Sequence, residues 1–85
     1  MEVGFNTDVV VEGIKYHVQT EDWGRQNPFL VTQVLSNGAV LGSIKTSYWQ
    51  VLPKGQYSDE QAIRLALKEQ HQKILDRVLS GHLDR

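Results

Sequence analysis

The sequence predicts an α+β domain in which two β-hairpins form a four-stranded antiparallel sheet and one long C-terminal helix packs across one face. Three observations carry this. Val9, Val11, Ile14, Tyr16 and Val18 alternate around a central Glu12-Gly13, Asn37-Gly38 stands between two β-rich runs, and Ile63, Ala66, Leu67, Gln70, Ile74 and Val78 recur at helical spacing. All 85 residues fit one domain, with the sheet over residues 7–52 and the helix over 58–80.

Each element has a local cause. Gly13 supplies the positive φ of a tight turn, and pairing across it sets Val11 opposite Ile14, Val9 opposite Tyr16, and Thr7 opposite Val18. The larger apolar side chains except Val10 then share one face, and Asp8, Lys15, His17 and Gln19 take the other, as in a sheet with one wet side. Glu21 to Pro28 is rich in turn formers and reads as a loop. Asn-Gly is the favoured pair of a type I′ turn, and a regular register from Asn37-Gly38 sets Leu35 against Val40, Val31 against Ile44 and Phe29 against Thr46. Leu30, Thr32, Val34 and Leu41 fall on the opposite side, so both faces of this hairpin are partly apolar.

Pro53-Lys54-Gly55 ends the strand region, and Ser58-Asp59-Glu60-Gln61 has the S-x-x-Q form of a capping box, with Ser58 as the expected N-cap. Gly81 is the expected stop. A helix from Asp59 to Leu79 would run about 32 Å, longer than strands of six or seven residues at about 20–23 Å.

Nine Lys+Arg against ten Asp+Glu give a net charge of -1, so no overall field draws the chain to nucleic acid or an anionic membrane. No apolar run reaches the roughly 18–20 residues of a membrane helix, the start lacks the pattern of a secretory signal, and there is no cysteine. The expectation is a cytoplasmic protein.

The chemistry-bearing residues are few. The register sets His17 across from Asp8, with Glu21 and Asp22 at the strand end, a candidate proton-transfer or ligand site that Arg25 and Lys45 extend. A cross-strand His and Asp on a polar face more often form a simple surface pair. Glu21-Asp22-Trp23-Gly24-Arg25 gathers carboxylates, an indole and a guanidinium in one loop, where binding residues often sit. The alternative is that Trp23 folds back over a small core. His17, His71 and His82 fall on different elements without metal-ligand spacing, and no phosphate loop, nucleotide fingerprint or nucleophile motif occurs. No catalytic residue, metal or cofactor is implied. Lys45, Tyr48 and Trp49 on the last strand, with Arg25, could stack and pair with nucleic acid, but the charge balance argues against it.

The two-sided second hairpin is the better lead. If the helix covers Val31, Leu35, Val40 and Ile44, then Leu30, Val34 and Leu41 need another cover, and an overlong helix carrying Leu75, Leu79 and Leu83 points the same way. This predicts a non-enzymatic protein-interaction or regulatory module that forms a homo-oligomer, with a dimer favoured, or binds another protein. The alternative cover is Met1 to Phe5 with the Trp23 loop.

Phe5-Asn6-Thr7, Tyr16-His17-Val18-Gln19-Thr20-Glu21-Asp22, Asn27-Pro28, Thr32, Gly38 and Ser43-Ile44-Lys45-Thr46-Ser47-Tyr48 together resemble a family of small bacterial proteins of unknown function, over nearly the whole chain. The resemblance implies a portable module, occurring alone or leading longer regulatory proteins, and it implies no chemistry. Trp23 and Trp49 stand where that pattern has smaller residues.

Overall fold

Glu12 and Gly13 hold φ of 50° and 81°, and Asn37 and Gly38 hold 52° and 80°, so both two-residue turns have the two positive φ values of type I′. On these turns the computed structural model, which describes residues 4–81, builds one antiparallel meander. Its strands are β1 (Gly4–Val11), β2 (Ile14–Asp22), β3 (Phe29–Ser36) and β4 (Ala39–Ser47), in the order β1-β2-β3-β4. A single turn of helix, α1 (Tyr48–Val51), follows β4, and α2 (Glu60–Leu79) packs across one face of the sheet. The fold is α+β, as the periodicities predict. Among the described residues no helix is long and apolar enough to cross a membrane.

The first hairpin has the expected register, with Val11 opposite Ile14, Val9 opposite Tyr16 and Asp8 opposite His17. The second does not. Leu35 faces Val40 as expected, but a bulge between Val34 and Leu35 leaves Leu41 without a partner, and beyond it Thr32 faces Ile44 and Val31 faces Lys45. The extra residue turns Ile44 to the side of Leu30, Thr32 and Val34. The β2–β3 register sets Val34 against Val18 and Thr32 against Thr20, so this is the side that α2 covers.

Leu30 and Val34, expected at an exposed apolar surface, are therefore core, at 0% and 2% exposure, and Leu75 is buried with them. Leu41 and Leu79 are half exposed, and Leu83 and Met1–Val3 lie outside the described residues. The helix is also not overlong. Its 20 residues run about 30 Å, and strands of 8 and 9 residues span about 26–30 Å.

Two further local readings shift. Asp59 caps α2 in place of Ser58, its carboxylate accepting from the N–H of Gln61 (2.9 Å) and Ala62 (3.2 Å). The S-x-x-Q contact forms instead at Ser47-Tyr48-Trp49-Gln50, where the Ser47 N–H donates to Gln50 Oε1 at 3.0 Å and starts α1. The strand region thus ends at Ser47, before the expected boundary at 52. Gly81, at φ 77°, closes α2 as expected.

The core has two apolar parts. Leu30, Tyr48, Leu52, Ile63, Ala66 and Leu67 form one, with Phe5 and Tyr57 packed against it. Val18, Val34, Ile74, Leu75 and Val78 form the other, flanked by Val9, Val11, Tyr16 and Ile44. Among the described residues Thr20, Thr32 and His71 are the buried polar ones, and their positions along β2, β3 and α2 place them between the two parts.

Candidate functional site

Thr20 and Thr32 are direct cross-strand partners on the helix side of the sheet, and their hydroxyls meet at 2.8 Å. A buried hydroxyl needs every bond it can make, and α2 supplies the rest. His71 lies one helical turn after Leu67 and so points into the sheet. Its Nδ1 is 2.8 Å from Thr20 Oγ1, and its Nε2 is 2.8 Å from Thr7 Oγ1. Gln70 Nε2 donates to Thr32 Oγ1 (2.9 Å) and to the Leu30 carbonyl (3.3 Å). Phe5 covers the imidazole, with ring centroids 5.7 Å apart.

The direction of this chain follows from the donors. The Leu30 carbonyl only accepts, which orients the Gln70 amide, so Thr32 Oγ1 accepts from Gln70. The arrangement that uses every hydroxyl proton then runs from Thr32 to Thr20 and from Thr20 to His71 Nδ1, leaving Nε2–H to donate to Thr7. This requires a neutral imidazole. Burial, and to a smaller extent the nearby His17, lowers the pKa of His71. An imidazolium would also have to donate at Nδ1, reversing Thr20 and Thr32.

A pH dependence follows. In the unfolded chain His71 takes a proton near pH 6.5, and in the fold only at lower pH, so the unfolded state binds more protons in between. Stability from this source is full above about pH 6.5 and is lost as pH falls through the lowered value. Urea unfolding of a His17→Gln background from pH 7.5 to 5 is expected to show this loss, and the same background with His71→Gln is expected to lack it.

The candidate residues on the outer face are dispersed. His17 Nδ1 donates to Asp8 Oδ1 at 2.7 Å, as the register predicts, and Lys15 Nζ lies 3.8 Å from the other carboxylate oxygen. The His17 hydrogen bond, aided by Lys15, holds the Asp8 carboxyl below its ordinary pKa. Glu21 accepts from Trp23 Nε1 at 3.1 Å. Lys45 Nζ sits 4.3 Å from the centre of the Phe29 ring and 5.1 Å from that of Trp23. Glu21 and Lys45 flank Val31 in one row, and Val31 is only 5% exposed although it lies on the outer face. His17 is four residues along β2 from Glu21, about 13 Å away.

Asp22, the last residue of β2, holds the loop that follows rather than joining these groups. Its Oδ1 accepts from the Gly24 N–H at 3.0 Å and from the Tyr48 hydroxyl in a short hydrogen bond. Tyr48 is buried, and burial together with the Asp22 carboxylate pushes its phenol pKa up. The Trp23 loop is thus tied to the start of α1 beneath it, while Trp23 and Arg25 stay exposed. Tyr48 is unavailable for base stacking, so the aromatic and basic face required for nucleic acid is incomplete. His17 and His71 lie on opposite faces of β2, and His82 lies outside the described residues.

An open groove lies elsewhere. Because α2 packs on β1, β2 and β3, the helix-side face of β4 is largely uncovered. A groove of about 420 Å³ runs between them, floored by Ile44, Thr46, Val51 and Ile74, with Glu69, Lys73 and Arg77 on its helix wall. Beyond the bulge, Leu41 lines a second depression with Val11, Ile14, Tyr16 and Val78. The sequence signal for this groove was the early close of the sheet at Ser47, concealed by the apolar residues Tyr48, Trp49 and Val51 that continue past it. Compared with family models, curated proteins and solved structures, the chain matches none of them.

Proposed function

We propose that the chain is a non-enzymatic, cytoplasmic protein-interaction module that binds another protein through the strip between α2 and β4. The observation that carries this reading is the uncovered side of β4, where Ile44 and Thr46 meet Val51 in an open groove. Trp49, Val51 and Leu65 stay exposed near its end. Self-association has less support, because Leu30, Val34 and Leu75 are core and the helix matches the strands in length. The chain alone is accordingly expected to sediment at 9.7 kDa. A stable dimer would assign the strip to a second copy.

A ligand-binding or enzymatic site would need His17, Glu21, Asp22, Arg25 and Lys45 to converge on a cavity. The Asp22 carboxylate is held by Tyr48 and Gly24, and His17 is held by Asp8. The interaction reading is tested by a photo-crosslinking residue at Val51, compared with one at Lys15 on the outer face, in cells that make the protein. A discrete protein adduct from position 51 and none from position 15 supports it. Equal adducts from both, or none from position 51, would overturn it.

A further inference from the structure

We infer that the segment bound in this groove is an amphipathic α-helix of another protein, acidic in its first turn and lying antiparallel to α2. The inference rests on the interaction reading above and adds the chemistry of the partner. Spacing argues for a helix. β4 lies two strand positions from β2, about 9.6 Å, and helices packed side by side lie about 8–10 Å apart. A helix laid beside α2 would therefore sit over β4.

An added strand fits less well, because β4 is bulged at Leu41 and carries Lys45, two devices that blunt a sheet edge. The α2 of a second copy fits less well again. Its apolar face is already buried, and its outer face carries Arg64, Lys68 and Gln72. Charge sets the direction. Lys73 and Arg77 stand on the groove wall toward the C-terminal end of α2, and neither has an ion-pair partner among the described residues. Helix first turns favour acidic side chains, and an antiparallel helix brings its first turn beside Lys73 and Arg77, with its positive dipole end beside the negative end of α2. Glu69, further back, then faces the later turns of the partner, where basic residues are favoured. From Arg77 to Ala66 the wall is about 17 Å long, which matches a partner helix of about three turns.

The test is selection from a displayed library of random 16-residue peptides on the immobilised chain, repeated on Val51→Asp and on the double variant Lys73→Glu/Arg77→Glu. Circular dichroism confirms that each is folded, and all three positions are exposed. The expected binders have apolar residues at helical spacing and acidic first turns. They are lost on Val51→Asp, and on the double variant they bind about tenfold more weakly. Binders that depend on Val51 but alternate with a period of two, or carry basic first turns, would overturn the acidic-helix inference and leave the interaction reading intact. A selection with no binder that depends on Val51 would overturn both.

Discussion

Replacing His71 by alanine is expected to lower the unfolding free energy by about 3–5 kcal/mol, measured by urea denaturation at pH 7.5. Two costs add. A ring that is 6% exposed leaves a cavity between the two apolar parts of the core. Thr20 Oγ1 keeps Thr32 but loses the acceptor of its proton, and the part-buried Thr7 Oγ1 loses its donor; a buried group left unpaired costs about 1–3 kcal/mol. A domain of this length has about 4–13 kcal/mol in all, so the loss is a large fraction of the total. The polar belt is separable from simple packing. His71→Leu combined with Thr20→Val and Thr32→Val removes the buried hydroxyls with the imidazole, leaves Gln70 on the Leu30 carbonyl and the part-buried Thr7 hydroxyl to water, and is expected to recover most of the loss. If the triple variant is as unstable as His71→Ala, the hydrogen bonds are not the source of the effect.

Leu30→Ala is expected to cost about 2–5 kcal/mol, with an unfolding midpoint that does not change with protein concentration. Leu30 is fully buried against Tyr48, Ile63 and Leu67 of its own chain, so its loss is a cavity inside one molecule. Were it at a subunit contact, the midpoint would move with concentration through mass action. Leu79→Ala, at a residue 54% exposed, serves as the control and is expected to stay within about 0.5 kcal/mol.

The contrast between these two leucines marks how far the sequence could be read. The first hairpin is legible down to the Asp8–His17 bond, because a two-residue turn with Gly13 admits one register. The second turn is equally legible at Asn37-Gly38, yet the faces beyond it come out reversed. One unpaired residue at Leu41 exchanges inside for outside along the rest of β4, and nothing in Val40-Leu41-Gly42 says which of the two apolar residues is the extra one. Which side α2 covers also depends on pairing Val18 with Val34 across a loop, a distant contact that no local pattern encodes. The capping signals failed differently. Ser47-x-x-Gln50 and Ser58-x-x-Gln61 are the same pattern, and which one forms is decided by Tyr48 finding Asp22 below and by Asp59 being the better acceptor one residue later. Asp22 and Lys45 look like ligand residues for a related reason: charge is visible in a sequence, and the partners that satisfy it are not. His71 carries no role in the sequence reading because the threonines that hold it come from strands far along the chain.

The meander has a consequence for how the chain assembles. Every pair of strands is adjacent in sequence, so the sheet forms from short-range contacts that cost little chain entropy. The bond between Thr7 and His71 spans 64 residues and closes nearly the whole described chain. It joins the first strand to the last helix, so it closes a far longer stretch of chain than either hairpin does. Until α2 docks, the sheet face that carries Thr20 and Thr32 lies open to water, and the helix closes it by delivering His71 and Gln70 to them.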